Sequence, residues 1–505
     1  MTEIAAEEVL SAAEERFERW RRRSGLALAP LAFATIWWVA ADLPPPAHRL
    51  AAVLAAVVVC WITEAIPMAI TAFLGVAAAI LLRVAPANEA FAPFADPIIF
   101  LFIGTFMLAR AIFVHGLDRR FAFAILGLRG VGEQPARVLV AYAAVACAIS
   151  MWISNTATTA MMFPIGISLL AFLESHPQAG RMAPAYGTVL LLSNAFAASV
   201  GGLATPVGTP PNLIGLGFIQ RETGLSIPFF SWMLLGPPVS LILLALMLLD
   251  LRRAGVPRHA ELHGVGEMIA AEHAAIGPWT RAQINTLVAF GFTVFCWVLP
   301  GIAALVGGRD SEAARFLATL LPESVVALVG AGLLFLLPVD LRRHEFTLSW
   351  GDAVQIDWWI VFLYGGGIAL GTLAFKTGLA ETMGHGLTSL LGVRSELGLL
   401  ALSTALATVL SETTSNTASA NMVVPVVIAF ARSAGIDPVV PALGATMGAS
   451  LGFMLPVSTP TNAIVYGSGR IPLTAMMRHG ILLDIVGVVV IVVIVGTLGP
   501  LAVGR

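Results

Sequence analysis

Two polar knots lie inside otherwise apolar stretches of the chain, and each repeats the other. Ser150-Met-Trp-Ile-Ser154-Asn155-Thr156-Ala-Thr158-Thr159 is answered 261 positions later by Ser411-Glu412-Thr413-Thr414-Ser415-Asn416-Thr417-Ala-Ser419-Ala. Both read Ser-x3-Ser-Asn-Thr-Ala-[Thr/Ser]-x2-Met-x2-Pro, with Met161 and Pro164 echoed by Met422 and Pro425. Hydroxyl and carboxamide side chains supply donors and acceptors without a fixed charge. One such knot could simply bond back to its own helix. Two in register point to a binding site, because irregular polar backbone survives in lipid only where protein buries it or it lines a cavity.

The chemistry of these residues suits an anion accompanied by cations. A helix beginning near Ala157 or Ala418 would aim N–H groups and the positive end of its dipole at the site. Two such ends supply roughly +1 together, and neither motif contains Lys or Arg. A dianion would therefore stay under-neutralised unless hard monovalent cations joined it, held by unwound carbonyls and by Ser or Asn oxygens. Moving a dianion against a negative-inside potential also costs about 2.3 kcal/mol per charge per 100 mV, which co-transported cations would offset. Exchange of one dianion for another would need no such coupling, so both readings stay open here. Asn155 and Asn416 can each serve twice, the oxygen facing a cation and the N–H facing the dianion.

These knots need a membrane scaffold, and the composition provides one. The 505 residues are 58% hydrophobic and 11% charged, with a mean hydropathy of +0.88, whereas soluble domains carry about 25% charged residues. A net charge of −2 excludes the basic footprint of a nucleic-acid binder. Cys60, Cys147 and Cys296 match no metal or redox spacing. No His-Glu-x-x-His motif and no intramembrane Asp pair suggests an enzyme. With about 20 apolar residues per span, spans are expected near 26–43, 49–63, 68–85, 97–115, 184–219, 229–250, 282–300, 322–339, 358–374, 438–468 and 480–503. Two further apolar regions, 138–173 and 396–431, are interrupted by the knots. The expected fold is an all-α integral membrane protein with about eleven transmembrane helices and two re-entrant hairpins. The Arg-rich start of the chain, with no cleavable signal evident, reads as a short interfacial helix or a solvated tail.

Basic residues orient the spans. With a cytoplasmic N-terminus and hairpins that enter and leave on one side, 18 of the 28 Lys and Arg fall inside, as the positive-inside rule requires. Residue 505 then lies outside, and Arg110 snorkels toward the cytoplasm. The repeat extends beyond the knots. Asp96-Pro-Ile-Ile-Phe-Leu-Phe-Ile-Gly104 is weakly echoed by Asp357-Trp-Trp-Ile-Val-Phe-Leu-Tyr-Gly365, and Thr205-Pro206-Val-Gly208-Thr209-Pro210-Pro211-Asn212 by Leu455-Pro456-Val-Ser458-Thr459-Pro460-Thr461-Asn462. The two halves are inverted, and matched interrupted helices in inverted repeats mark a secondary transporter's midplane site. Three prolines in six residues remove three backbone donors, so an unwound break is expected at 205–211. The sparser second copy leaves room for a simple kink. Glu64 and Glu412 are expected to be structural, Glu64 by capping or pairing at a span end and Glu412 by holding a hairpin tip.

Trp61-Ile-Thr-Glu64-Ala-Ile-Pro67, the first knot and the second Ser415-Asn416-Thr417 together resemble the divalent anion/sodium symporter family. Its members carry di- and tricarboxylates or sulfate, and the resemblance covers nearly all of the chain after residue 25. It implies a homodimeric elevator carrier of C4-dicarboxylates in the cell inner membrane, in which a transport domain slides against a fixed scaffold and Na+ is the co-transported ion. The divisions it suggests are a cytoplasmic tail 1–24, scaffold 25–135, transport domain 136–251, cytoplasmic linker 252–281, scaffold 282–394 and transport domain 395–505. Carried over by residue, one sodium site falls on Ser150, Ser154, Asn155 and Gly208, the other on Ser411, Thr414, Asn416 and Ser458. The dianion falls among Asn155, Thr156, Thr209, Ser415, Asn416, Thr417, Thr459 and Pro460. Thr414 and Ser458 stand where relatives can have Ala, a change that backbone carbonyl ligands tolerate.

Overall fold

A computed structural model describes residues 12–175, 184–257, 262, 264–308 and 311–503. Residues 1–11 of the expected tail, Arg258 of the expected linker and residue 505 lie outside the described residues. The described chain is nearly all helix, apart from a small antiparallel pair between Pro338–Asp340 and Glu345–Phe346.

Helical passes occupy each expected span. The first four are Ala12–Val39, Pro45–Thr63, Met68–Leu81 and Pro97–Val114, followed by a hairpin of Pro135–Ser150 and Asn155–Ser175. Next come Pro184–Gly202 with Pro210–Thr223, then Gly236–Gly255, Arg281–Gly307, Glu323–Leu336 and Trp358–Lys376. A second hairpin, Glu396–Thr413 and Asn416–Ser433, precedes Val439–Gly448 with Pro460–Tyr466 and the final helix Leu473–Ala502. Among the described residues, seven helices are long and apolar enough to cross a bilayer alone, or eight if the bent pair Glu312–Leu320 and Glu323–Leu336 forms one span. One of the seven, Asn155–Ser175, is a hairpin arm. The remaining passes fall short because they are broken, because, like the 14-residue Met68–Leu81, they reach only about 21 Å at 1.5 Å per residue, or, for the 28-residue Ala12–Val39, because the first half is charged.

The boundaries differ from the expectation at the N-terminus. The first helix begins by Ala12 and runs through residue 24 without a break, so the described residues 12–24 are continuous with the first span and form neither a separate short helix nor a loose tail. Glu18 pairs with Arg21 at 2.8 Å and with Arg22 at 3.8 Å, the i,i+3 and i,i+4 spacings that reinforce a helix. Hydropathy also passes over three shorter helices, Leu117–Leu126, Val265–Ala275 and Leu379–Leu391, which are too short or too polar to register as spans. Arg110 does not merely snorkel. It bonds the Gln355 carboxamide and lies 4.0 Å from Asp352.

Buried apolar side chains form one large core and a smaller second one. The large core joins the first hairpin, both broken helices and the last helix through residues such as Tyr142, Phe196, Trp232, Phe453 and Ile491. The second packs Leu50, Trp61 and Val76 against Leu370 and Leu379. Ala418 and Ala429 of the second hairpin belong to this smaller core, so that hairpin arm bridges the two bodies of packing.

Candidate functional site

Each knot folds into a hairpin tip whose own side chains satisfy the start of the returning helix. Ser154 Oγ accepts from the N–H of Ala157 at 3.3 Å, and Ser415 Oγ accepts from that of Ala418 at 3.2 Å. Such caps satisfy donors that the first helical turn leaves unpaired. The first serine of each motif reaches forward. Ser150 Oγ donates to Asn155 Oδ1 at 2.8 Å, and Ser411 Oγ donates to Asn416 Oδ1 at the same 2.8 Å. The two tips are thus copies in geometry as well as in sequence.

Beside each tip runs a broken helix. Residues 203–209 and 449–459 are non-helical, and the chain becomes helical again at Pro210 and Pro460. Proline suits the first helical position because its missing N–H would be unpaired there anyway. The second copy is therefore a true break, not a simple kink. Tip and break pack closely, and glycine makes this possible. A Cβ on Gly202 would stand 3.0 Å from Asn155 Nδ2, and one on Gly208 would stand 2.6 Å from the Gly202 carbonyl and 3.0 Å from that of Met151. In the second half a Cβ on Gly452 would lie 3.2 Å from Ser411 Oγ and 3.4 Å from Asn416 Oδ1. The first half thus gathers carbonyl oxygens of tip and break around a glycine, and the second brings two tip oxygens against a glycine of the break, the donor type that hard cations take.

The two halves anchor the break to the tip by different means. In the first, the Thr205 hydroxyl donates to the Met151 carbonyl at 2.5 Å. In the second, position 455 is leucine and the position matching Met151 is Glu412. Its carboxylate accepts from the N–H groups of Met454 at 2.8 Å and Leu455 at 3.2 Å and from the Ser458 hydroxyl. Glu412 is buried, as is Asp484 of the last helix beside it. Sequence reading did not single out Asp484, a lone acid in an apolar run.

All eight residues expected to meet the dianion line one cavity of about 800 Å³. Of the expected cation ligands, Ser154, Asn155, Asn416 and Ser458 also line it. Ser150, Gly208, Ser411 and Thr414 are buried behind its wall. The cavity receives four helix N-termini, not two: those at Asn155 and Asn416, and those at Pro210 and Pro460 after the breaks. The signal for the extra pair was the repeated Thr-Pro at 209–210 and 459–460. Sequence reading also missed the rim. Glu18, Arg19, Arg21 and Arg22 of the first helix, with Glu64, Asp357 and Trp359, also line the cavity. Arg21 bonds Glu64 at 3.1 Å and reaches the carbonyls of Ile62 at 3.4 Å and Thr413 at 3.5 Å. Glu64 therefore pairs, as expected for a structural carboxylate, and caps its helix in a left-handed conformation (φ 49°). Three arginines against three acids add no net formal charge, so the helix ends remain the main positive feature facing the cavity.

Two inverted hairpins and two broken helices that present their ends to a shared polar cavity define a membrane carrier of the inverted-repeat class. The family model described as the sodium:sulfate symporter transmembrane region matches residues 21–503, and the chain belongs to that family. Among curated relatives, a Staphylococcus saprophyticus protein named sodium-dependent dicarboxylate transporter SdcS is 31% identical over 88% of this chain and 84% of its own length. A protein of the same name from Staphylococcus aureus strain USA300 is 29% identical over 95% and 92%. Among solved structures, the Alcanivorax borkumensis YdaH transporter aligns with a TM-score of 0.52 at 15% identity, covering 81% of this chain and 87% of its own. Neisseria gonorrhoeae MtrF aligns at 0.54 and 10% identity, covering 92% and 96%. These two likenesses concern the fold alone.

Proposed function

We propose that the protein is a sodium-coupled symporter of C4-dicarboxylates such as succinate, malate and fumarate. The observation that carries this reading is the convergence of both knots and both breaks on one cavity, to which they bring neutral polar side chains and helix N-termini, while its three arginines and three acids add no net formal charge. Such a cavity suits carboxylate oxygens and leaves a dianion short of positive charge, which bound cations supply. One sodium is assigned to Ser150, Ser154, Asn155 and Gly208, a second to Ser411, Thr414, Asn416 and Ser458, and the dianion to the cavity between them. The names of the staphylococcal relatives favour dicarboxylate over sulfate. The reading is tested by uptake of labelled succinate into proteoliposomes. An inward sodium gradient is expected to drive accumulation above equilibrium, with excess sulfate competing poorly. Uptake that ignores sodium and requires internal succinate would replace symport by exchange.

The transport cycle is proposed to be an elevator in a homodimer, with residues 136–251 and 395–505 moving against a scaffold of 25–135 and 282–394. The N-terminus and linker 252–281 are placed in the cytoplasm and residue 505 outside. Ion pairs between distant segments support this topology, since each joins two residues assigned to one side. Arg119–Glu272 and Arg470–Glu174, with the His479–Asp250 hydrogen bond, fall inside, whereas Lys376–Glu89 and Arg432–Glu222 fall outside. Cysteines introduced near Arg258 and at Val503 are expected to label from opposite faces of intact cells. Labelling of both from one face sinks the topology, and a monomer mass in nanodiscs sinks the dimer.

A further inference from the structure

Asn212 and Asn462 end the Thr-Pro-x-Asn motifs, and nothing in the proposed binding site uses them. Both are fully buried at 0% exposure. Asn212 Nδ2 donates to the carbonyls of Gly202 at 3.0 Å and Thr205 at 2.8 Å. Asn462 Nδ2 donates to the carbonyls of Gly452 at 3.1 Å and Leu455 at 2.9 Å. Every member of one set lies 250 positions from its mate in the other. The anchors between tip and break differ in the two halves, as Thr205 and Glu412 show, whereas this clasp is the same in both.

We infer that Asn212 and Asn462 are positioning residues for cation binding, each setting the shape of one oxygen cradle. This inference rests on the sodium-coupled reading above. A break in a helix frees carbonyls, and without restraint those carbonyls would turn among many orientations. A carboxamide with two N–H donors fixes two of them at once and ties the start of the second half-helix to the end of the first. The clasped Gly202 carbonyl faces Gly208, and Gly452 stands against Ser411 Oγ and Asn416 Oδ1. Each clasp therefore holds the backbone wall of one cradle while its side chain stays out of the cavity, since neither asparagine is among the lining residues. The carbonyls of Gly202 and Gly452 retain a second lone pair for a cation, whereas those of Thr205 and Leu455 already accept from the N–H groups of Gly208 at 3.3 Å and Ser458 at 3.2 Å. Loss of the clasp should weaken cation binding while leaving the dianion's own donors, Asn155, Thr156, Asn416 and Thr417, in place.

The test uses purified full-length protein in nanodiscs. It measures the sodium concentration that gives half-maximal thermal stabilisation, and succinate affinity at saturating sodium. Asn212→Ala and Asn462→Ala are each expected to raise the sodium half-point about five- to thirtyfold, the size of one or two lost neutral hydrogen bonds. Succinate affinity at saturating sodium should stay within about twofold. Asn194→Ala is the control, because Asn194 is equally buried but bonds the Thr159 carbonyl at 3.0 Å, away from either break. It should lower the melting temperature without moving the sodium half-point. If an alanine variant does not fold, the serine variant, which keeps one short donor, should show a smaller shift of the same sign. Unchanged sodium half-points in the clasp variants, or an equal shift in the Asn194 control, would overturn the inference alone. A wild type whose melting ignores sodium would overturn the coupled reading and the inference with it.

Discussion

Asn155→Ala and Asn416→Ala are each expected to weaken succinate and sodium binding together, by about ten- to hundredfold. Asn155 Oδ1 already accepts from Ser150 Oγ, and Asn416 Oδ1 from Ser411 Oγ. Each oxygen keeps a second lone pair, and each carboxamide N–H group is available to the cavity that both residues line. The hypothesis is that one short side chain touches both ligands, so removing it damages both sites. Losing a hydrogen bond to a charged partner costs about 1.5–3 kcal/mol, and linkage makes the coupling between ligands reciprocal. Asn155→Asp should keep the cation oxygen, repel the carboxylate, and lose transport more completely. The measurement is succinate binding titrated at several sodium concentrations in wild type and variants. Wild-type succinate affinity with an unchanged sodium dependence in both alanine variants would remove the tips from the binding site. The contrast with the Asn212 and Asn462 variants is direct, since those should move sodium alone.

Glu412→Ala should be the most damaging single change in the second half. Its carboxylate accepts from Met454 N–H, Leu455 N–H and the Ser458 hydroxyl. Truncation leaves several buried polar groups without a partner, at about 1–3 kcal/mol each. The loop that carries Ser458 and Thr459 into the cavity then loses its attachment to the tip. Transport is expected to fall to background and the melting temperature to drop by several degrees. Glu412→Gln should recover part of both, because one amide oxygen still accepts although the other position becomes a donor. The matching substitution in the first half, Met151→Ala, should be mild, because there the Met151 backbone carbonyl makes the anchor. Transport activity and melting curves for the three variants check this order. Near-normal transport by Glu412→Ala would show that the loop holds its shape without the carboxylate.

The primary sequence by itself determined the class of protein, the repeat and the residues that meet. Low charge and long apolar runs require a bilayer, since such a chain has too little polar surface for water. The Ser-Asn-Thr knots and the first proline cluster were legible as breaks, because donors removed by proline and polar side chains in lipid need a cavity, whereas the sparser second cluster left a kink open. Inverted topology then brings matching breaks to one depth, and the eight expected cavity residues do line one cavity. Glu64 was also legible as a pairing residue at a span end.

Tertiary structure alone decided how each tip is tied to its break. Nothing local shows that Met151 and Glu412, at matching positions, would anchor their loops by a carbonyl in one half and a carboxylate in the other. Those bonds join residues tens of positions apart and depend on how the helices cross. The rim was equally hidden, since Arg21 reaches Thr413 across 392 positions, and the Arg-rich start read as a detached segment because periodicity sees only neighbours. The Asn212 and Asn462 clasps were visible as a repeated letter, but their meaning came from geometry. A carboxamide in an apolar run announces only that it must be satisfied, and the fold chooses which carbonyls satisfy it.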